Sequence, residues 1–254
     1  MHVCIPVSVM ITFIIPAHDE ELLIGQTINA LHDAASATSE PYEIIVVDDA
    51  STDATTKVAA RCGARIVSVH YRQIAAARNA GAAHAQGDLL VFVDADTHVP
   101  GTAVGAALHA VRLGAVGGGS RARFDGLVPI YGRFLVWVWL WIQQFGHLAS
   151  GCFLFCTRRA FEAAGGFDQT LYAAEDVLLS WHLKRLGRFV VLREVVVTSG
   201  RNIRSHSPFE FLRIIAGFAL HGPRFFRTRH GPWYGQRRDD PDHTAQPDSP
   251  RLRG

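Results

Sequence analysis

The sequence predicts an α/β chain: an open, wound, mostly parallel central sheet flanked by helices. Three observations carry that prediction. Short β-branched and apolar runs alternate with stretches of helical spacing, the pattern of strands joined by crossover helices. The runs lack polar alternation, as expected of strands covered on both faces. Apolar residues form 48% of the 254 positions, enough for a sizeable core.

Each element follows from local chemistry. Ile11 to Ile15 is a β-branched run, and Pro16 is expected to end its ladder. The acids Asp19, Glu20 and Glu21 come next, then apolar residues at helical spacing from Leu23 to Leu31. In a first helical turn, those acids would suit the positive end of the dipole. Glu43 to Val47 is a second strand running into Asp48 and Asp49, and Ser51 or Asp53 is the expected start of a short helix closing at Gly63. Ala64 to Val69 is a third strand, and Ile74 to Ala85 an Ala-rich helix carrying Arg78 and Asn79.

The central element is Leu89 to Val93, a wholly apolar run that ends abruptly in Asp94 and Asp96. On an extended backbone, side chains two apart point the same way, so both carboxylates can serve one site. In open α/β sheets that site is the crevice at the strands' carboxyl ends. Hard oxygen ligands there suit Mg²⁺ or Mn²⁺, held by one or two carboxylates plus substrate phosphates. A second acid pair, Asp48 and Asp49, ends a second strand, and like charges meeting in one crevice call for a cation or donors between them. Arg78 is a candidate for a phosphate, which a guanidinium fork binds well.

Thr102 to Leu113 is a further helix, and Ala115 to Arg123 a strand weakened by Gly117, Gly118 and Gly119. Phe134 to Ile142, with three close tryptophans, is expected to be a buried helix, with a membrane-interface helix as the alternative. Gly151 to Cys156 is a strand, Arg158 to Ala164 a helix, and Gly165-Gly166 a turn. Glu175 and Asp176 open a helix that runs to Leu186; they act either as dipole partners or as a carboxylate aimed into a pocket as a general base. Phe189 to Val197 is another strand, and Pro208 to Leu220 a helix. The tail from Arg237 is charged and rich in Pro and Asp, so disorder is expected. The basic residues Arg224, Arg227, Arg229, Arg237 and Arg238 form either a solvated face or a contact for acidic headgroups.

The totals exclude some classes. A formal net charge of +2 gives no reason to expect a nucleic-acid partner. Four scattered cysteines make no disulfide scaffold, and Cys152 and Cys156 lack the second pair a zinc site needs. The apolar start, Val3 to Pro16, is too short to span a bilayer. Neither a Walker A sequence nor a Gly-x-Ser-x-Gly elbow is present. A cytoplasmic protein, or one peripheral at the cytoplasmic membrane face, is the expectation.

The ordered motifs resemble a family. Ile14-Ile15-Pro16-Ala17-His18-Asp19-Glu20, Ile45 to Asp53, Ala77-Arg78-Asn79-Ala80-Gly81, Phe92-Val93-Asp94-Ala95-Asp96, Gly165-Gly166-Phe167-Asp168 and Glu175-Asp176 are similar, in that order, to the family 2 glycosyltransferases of GT-A fold. The resemblance runs from about Thr12 to about Arg201. It implies inverting transfer of a sugar from a nucleotide-diphosphate sugar. Pro16, Ala17 and Glu20 would line the nucleoside pocket, Asp48 or Asp49 would meet the base or ribose, and Asp53 would assist. Asp94 would lie by the ribose or metal, Asp96 would ligate the metal, and Asp176, beside Glu175, would deprotonate the acceptor hydroxyl. The implied domain covers 10–236, with a nucleotide-binding part to about 100 and an acceptor part beyond. The acceptor is unspecified, with a lipid-linked one among the options. Two departures stand out: His18-Asp19 replaces the usual Asn, and no Gln-x-x-Arg-Trp occurs, so polymer synthesis is not expected. The rivals are a non-catalytic nucleotide-sugar-binding protein of the same fold and a nucleotidyltransferase. The acids after the first strand, where a basic triphosphate loop belongs, disfavour the latter.

Overall fold

A computed structural model describes residues 8–126 and 151–205, with positions 132, 149 and 207 and part of the stretch 209–234. The expectations for Phe134 to Ile142, for most of Pro208 to Leu220, and for the tail from Arg237 fall outside the described residues.

Four strands form the amino-terminal half: β1 (Ile11–Ala17), β2 (Tyr42–Asp49), β3 (Arg65–Val69) and β4 (Leu89–Val93). They are parallel to one another, and α1 (Ile24–Ser36), α2 (Thr55–Arg61) and α3 (Ile74–His84) make the crossovers. A two-residue β5 (Thr97–His98) and α4 (Gly101–Arg112) follow. The second half comprises β6 (Ala115–Phe124), β7 (Phe153–Thr157), α5 (Arg158–Ala164), α6 (Glu175–Leu186), β8 (Arg188–Thr198) and the short α7 (Arg201–Ser205). All strands join one eight-stranded sheet in the order β3-β2-β1-β4-β7-β6-β8-β5. β7 runs antiparallel to β4 and β6, and β5 antiparallel to β8, so the sheet is mixed.

Both faces of the sheet are covered. Phe13, Ile15, Val91 and Val93 pack with Ile24, Ile28, Leu31, Val104 and Leu108 of α1 and α4 on one face. Ile14, Leu90 and Phe92 alternate to the other, against Ala77, Phe161, Leu179 and Leu183 of α3, α5 and α6. Thus the apolar runs that showed no alternation are the strands buried on both sides.

Several boundaries differ from the sequence expectation. β1 continues through Pro16, because pairing with β4 stops at Ile14↔Phe92 and asks for no donor from the proline. Asp19, Glu20 and Glu21 do not lie in the first turn of α1, which starts at Ile24; the chain first turns through Leu23. Neither Ser51 nor Asp53 caps α2; Ala54 holds that position. Gly63 does close the helix, at φ +85°. β6 keeps its ladder despite its glycines, which are needed for close approach. A Cβ on Gly118 would lie 2.2 Å from the Val190 carbonyl oxygen and 2.6 Å from the Phe155 ring.

Candidate active site

The carboxyl ends of β1, β2 and β4 bring the predicted acids to one edge of the sheet. The loops leaving β1 and β2 are laced together there. The Asp19 amide donates to the Ser51 hydroxyl (3.0 Å), the Glu20 amide to the Thr55 hydroxyl (2.7 Å) and the Glu21 amide to Asp53 (3.1 Å). In return the Thr52 amide donates to Asp19 (2.7 Å) and the Ala54 amide to Glu21 (2.8 Å). This exchange is why the acids stay out of α1: the Asp19 and Glu21 carboxylates satisfy the loop after β2 instead. Asp53 also accepts from Thr55. Although burial works against its charge, these hydrogen bonds hold its carboxyl below the ordinary value.

Asp48 and Asp49 are both buried. Asp49 accepts the consecutive amides of Tyr71, Arg72 and Gln73 at 2.7, 2.8 and 2.9 Å, which fixes the entry to α3. Asp48 accepts, among the described residues, the Ser51 amide alone, at 3.3 Å. Between the two, Asp48 is the one with more carboxylate capacity left. Ala17 is buried in β1 and Pro16 is half-buried. Glu20, only 4% exposed, receives both bonds of an Arg201 guanidinium nitrogen, at 2.9 and 3.0 Å. Sequence reasoning missed this pair, whose members lie 181 residues apart.

Asp94 and Asp96 follow β4 on a turn, closed by the Thr97 amide on the Asp94 carbonyl (3.1 Å), and not on extended backbone as the spacing suggested. Their anchors differ. Asp94 accepts from Arg78 (2.8 Å), while Asp96 accepts the Thr198 hydroxyl (3.2 Å), itself bonded by Thr97 (3.0 Å). Pairing of β5 with the end of β8 produces that chain. No cluster of three or more His, Cys, Asp or Glu suited to a metal occurs among the described residues. Two carboxylates are nevertheless the donor set Mg²⁺ or Mn²⁺ takes when phosphates complete the shell, so these residues fit such an ion.

Across from this turn, Glu175 and Asp176 open α6, preceded by Ala174 at φ 61°. Arg78 is 2% exposed and lies between the two acidic groups, not open to solvent as a free phosphate fork would be. It donates to Glu175 (2.6 Å), to Asp94 (2.8 Å) and to the Gly151 carbonyl (3.2 Å), with its carbon 5.3 Å from the centre of the Phe167 ring. Surrounding carboxylates outweigh burial and raise its already high pKa. Burial and the adjacent Glu175 push the Asp176 carboxyl up to about 7, against the pull of Arg78 and of the Val177 amide. Gly151 was another omission: a Cβ there would lie 2.8 Å from an Arg78 nitrogen and 3.4 Å from the Asp176 carboxylate. No local sequence signal marks that close approach.

A cavity of about 470 Å³ lies elsewhere, at the amino end of β2, lined by residues including His32, Tyr42, Glu43 and Arg65. His32 bonds Tyr42 and the Cys62 carbonyl, both at 2.9 Å, and Glu43 pairs with Arg65 at 3.2 Å, so these groups are structural.

A mixed, mostly parallel sheet with carboxylates gathered at its strand ends defines a GT-A fold. Solved structures agree. The mannosyltransferase PcManGT from Pyrobaculum calidifontis, in complex with GDP-Man and Mn2+, superposes with a TM-score of 0.64 at 20% identity, over 85% of this chain and 63% of that one. S. aureus TarS in complex with UDP-GlcNAc gives 0.59 at 19% identity, over 84% and 67%. Glucosyl-3-phosphoglycerate synthase from Mycobacterium tuberculosis, with Mn2+, UDP and its product, gives 0.56 at 22% identity, over 85% and 80%. The model of Glycosyl transferase family 2 matches residues 12–154, and the chain belongs to that family. Among curated relatives, the undecaprenyl-phosphate 4-deoxy-4-formamido-L-arabinose transferase of Edwardsiella ictaluri is 32% identical over 98 residues, 35% of this chain. The glycosyltransferase YkcC of Bacillus subtilis is 29% identical over 97 residues. These matches span only 30% and 29% of the relatives' lengths.

Proposed function

We propose that the protein transfers a sugar from a nucleotide-diphosphate sugar to an acceptor hydroxyl, with inversion at the anomeric carbon. The carrying observation is the arrangement around Arg78, which ties Asp94 on the donor side to Glu175, next to Asp176, on the acceptor side. Family membership and relatives named as sugar transferases support the reading.

In this mechanism Asp48, Pro16 and Ala17 bound the nucleoside. Asp96 and Asp94 would hold a divalent cation, Mg²⁺ or Mn²⁺. When bound, that ion supplies charge stabilisation for the departing diphosphate. Asp176 takes the proton from the acceptor hydroxyl as its oxygen attacks the anomeric carbon opposite the leaving diphosphate. Attack from that side inverts the centre, and Asp176 must be ionised to serve. Glu175, held by Arg78 at 2.6 Å, sits beside the base. Water must be kept from the donor, or hydrolysis competes.

A lipid-linked acceptor is suggested by the relatives, three of which share a name that includes undecaprenyl phosphate. A lipid-linked acceptor fits peripheral contact with the cytoplasmic membrane face; no helix among the described residues is long and apolar enough to cross a membrane.

The test incubates purified protein with a panel of UDP- and GDP-sugars, Mn²⁺, and either membrane lipid extract or soluble alcohols. The expected result is metal-dependent release of one nucleoside diphosphate, with a product of inverted anomeric configuration by NMR. A retained configuration would remove the single-displacement mechanism. Nucleotide binding without turnover under any condition would favour the non-catalytic alternative.

A further inference from the structure

Arg78 suits a phosphate by its sequence, yet its surroundings are those of an internal cation. It is 2% exposed, and its two terminal nitrogens are engaged by Glu175, Asp94 and the Gly151 carbonyl. Its Nε is buried and makes no hydrogen bond among the described residues, so the guanidinium is held by these partners through its terminal nitrogens. Phe167 packs against it, and a side chain at 151 would collide with it. A planar fork can hold two carboxylates at a fixed mutual angle, which an ammonium on a flexible stem cannot.

Resting on the sugar-transfer reading above, we infer that Arg78 is a positioning residue. It binds no donor phosphate; it sets the spacing between the donor-side carboxylate Asp94 and the acid pair at the head of α6. The sequence supports that geometry from three directions. Arg78 projects from α3, Asp94 follows β4, and Glu175 opens α6, so one side chain joins three separate elements at the catalytic edge. Without the fork, Glu175 becomes an unpaired buried carboxylate at the head of α6, directly beside Asp176.

The test uses Arg78→Lys, Arg78→Gln, Glu175→Gln and the double variant Arg78→Gln/Glu175→Gln in the full chain. Urea unfolding needs no knowledge of the donor. Each single Gln variant should unfold earlier, and the double variant should regain most of the loss; strictly additive losses would overturn the pairing. Calorimetry with UDP and with GDP in saturating Mn²⁺ should give dissociation constants within threefold of wild type for Arg78→Lys. A tenfold or greater weakening would mean that Arg78 grips phosphate and would overturn the inference. With an active donor, Arg78→Lys should lose at least a hundredfold in kcat while donor KM stays within threefold; wild-type kcat would overturn the positioning role. If wild type turns over no sugar nucleotide, the transfer reading falls, while unfolding and binding still decide what Arg78 holds.

Discussion

In the proposed mechanism Asp176 is the base, and its surroundings bear directly on that role. Its carboxyl, raised to about 7 by burial and by Glu175, is a stronger base when ionised than an ordinary aspartate, and it is only partly ionised at neutral pH. The acid limb of kcat/KM should therefore fall near pH 7, not near 4. The sign for stability is the reverse. A carboxyl that keeps its proton longer when folded favours the folded state at low pH, and that contribution is lost as pH rises from about 4 to about 7. Asp176→Asn should thus lower turnover by roughly a hundredfold or more while raising the melting temperature at pH 8. A melting temperature unchanged at every pH would show that ionised Asp176 carries no folding cost. Gly151→Ala acts on the same cluster by contact alone. Its Cβ would meet Arg78 at 2.8 Å, so turnover should drop at least tenfold with a melting shift of only a few degrees.

At the scale of elements, much was legible because the signals are local. An unbroken apolar run specifies β4, and the bounds of α5 follow from Thr157 as its cap and Gly165 beyond its end. The start of α1 was not legible. The acids before it carry a helix-capping signal, but the loop after β2 competes for the same carboxylates and wins through bonds spanning over thirty residues. The partners of Arg78 and Arg201 escaped for the same reason: an isolated arginine does not reveal which distant carboxylate it meets. The glycines of β6 looked like weakness and are a packing requirement. Gly118→Ala should cost about 1–3 kcal/mol in urea unfolding, because neither the Val190 carbonyl nor the Phe155 ring can retreat from a buried sheet. A loss below about 0.5 kcal/mol would show that the strands separate more readily than this packing implies.

For the whole molecule, the sheet divides the work. β1 to β4 deliver Asp48, Asp94 and Asp96 from one half, and α6 delivers Asp176 from the other. β7 stitches the halves by pairing with both β4 and β6, and Arg201–Glu20 and Thr198–Asp96 tie them across the site edge. The central claim is that this edge is a cation-assisted site for a nucleotide diphosphate. The most direct measurement is thermal unfolding of wild type and Asp96→Asn against UDP and GDP, each with and without Mn²⁺. A ligand that binds only the folded state, at about a hundred times its dissociation constant, adds roughly 2.7 kcal/mol. The account predicts such a gain for wild type with one nucleotide, largely dependent on Mn²⁺ and lost in Asp96→Asn. Stabilisation by no nucleotide, or an equal gain in Asp96→Asn, would contradict it.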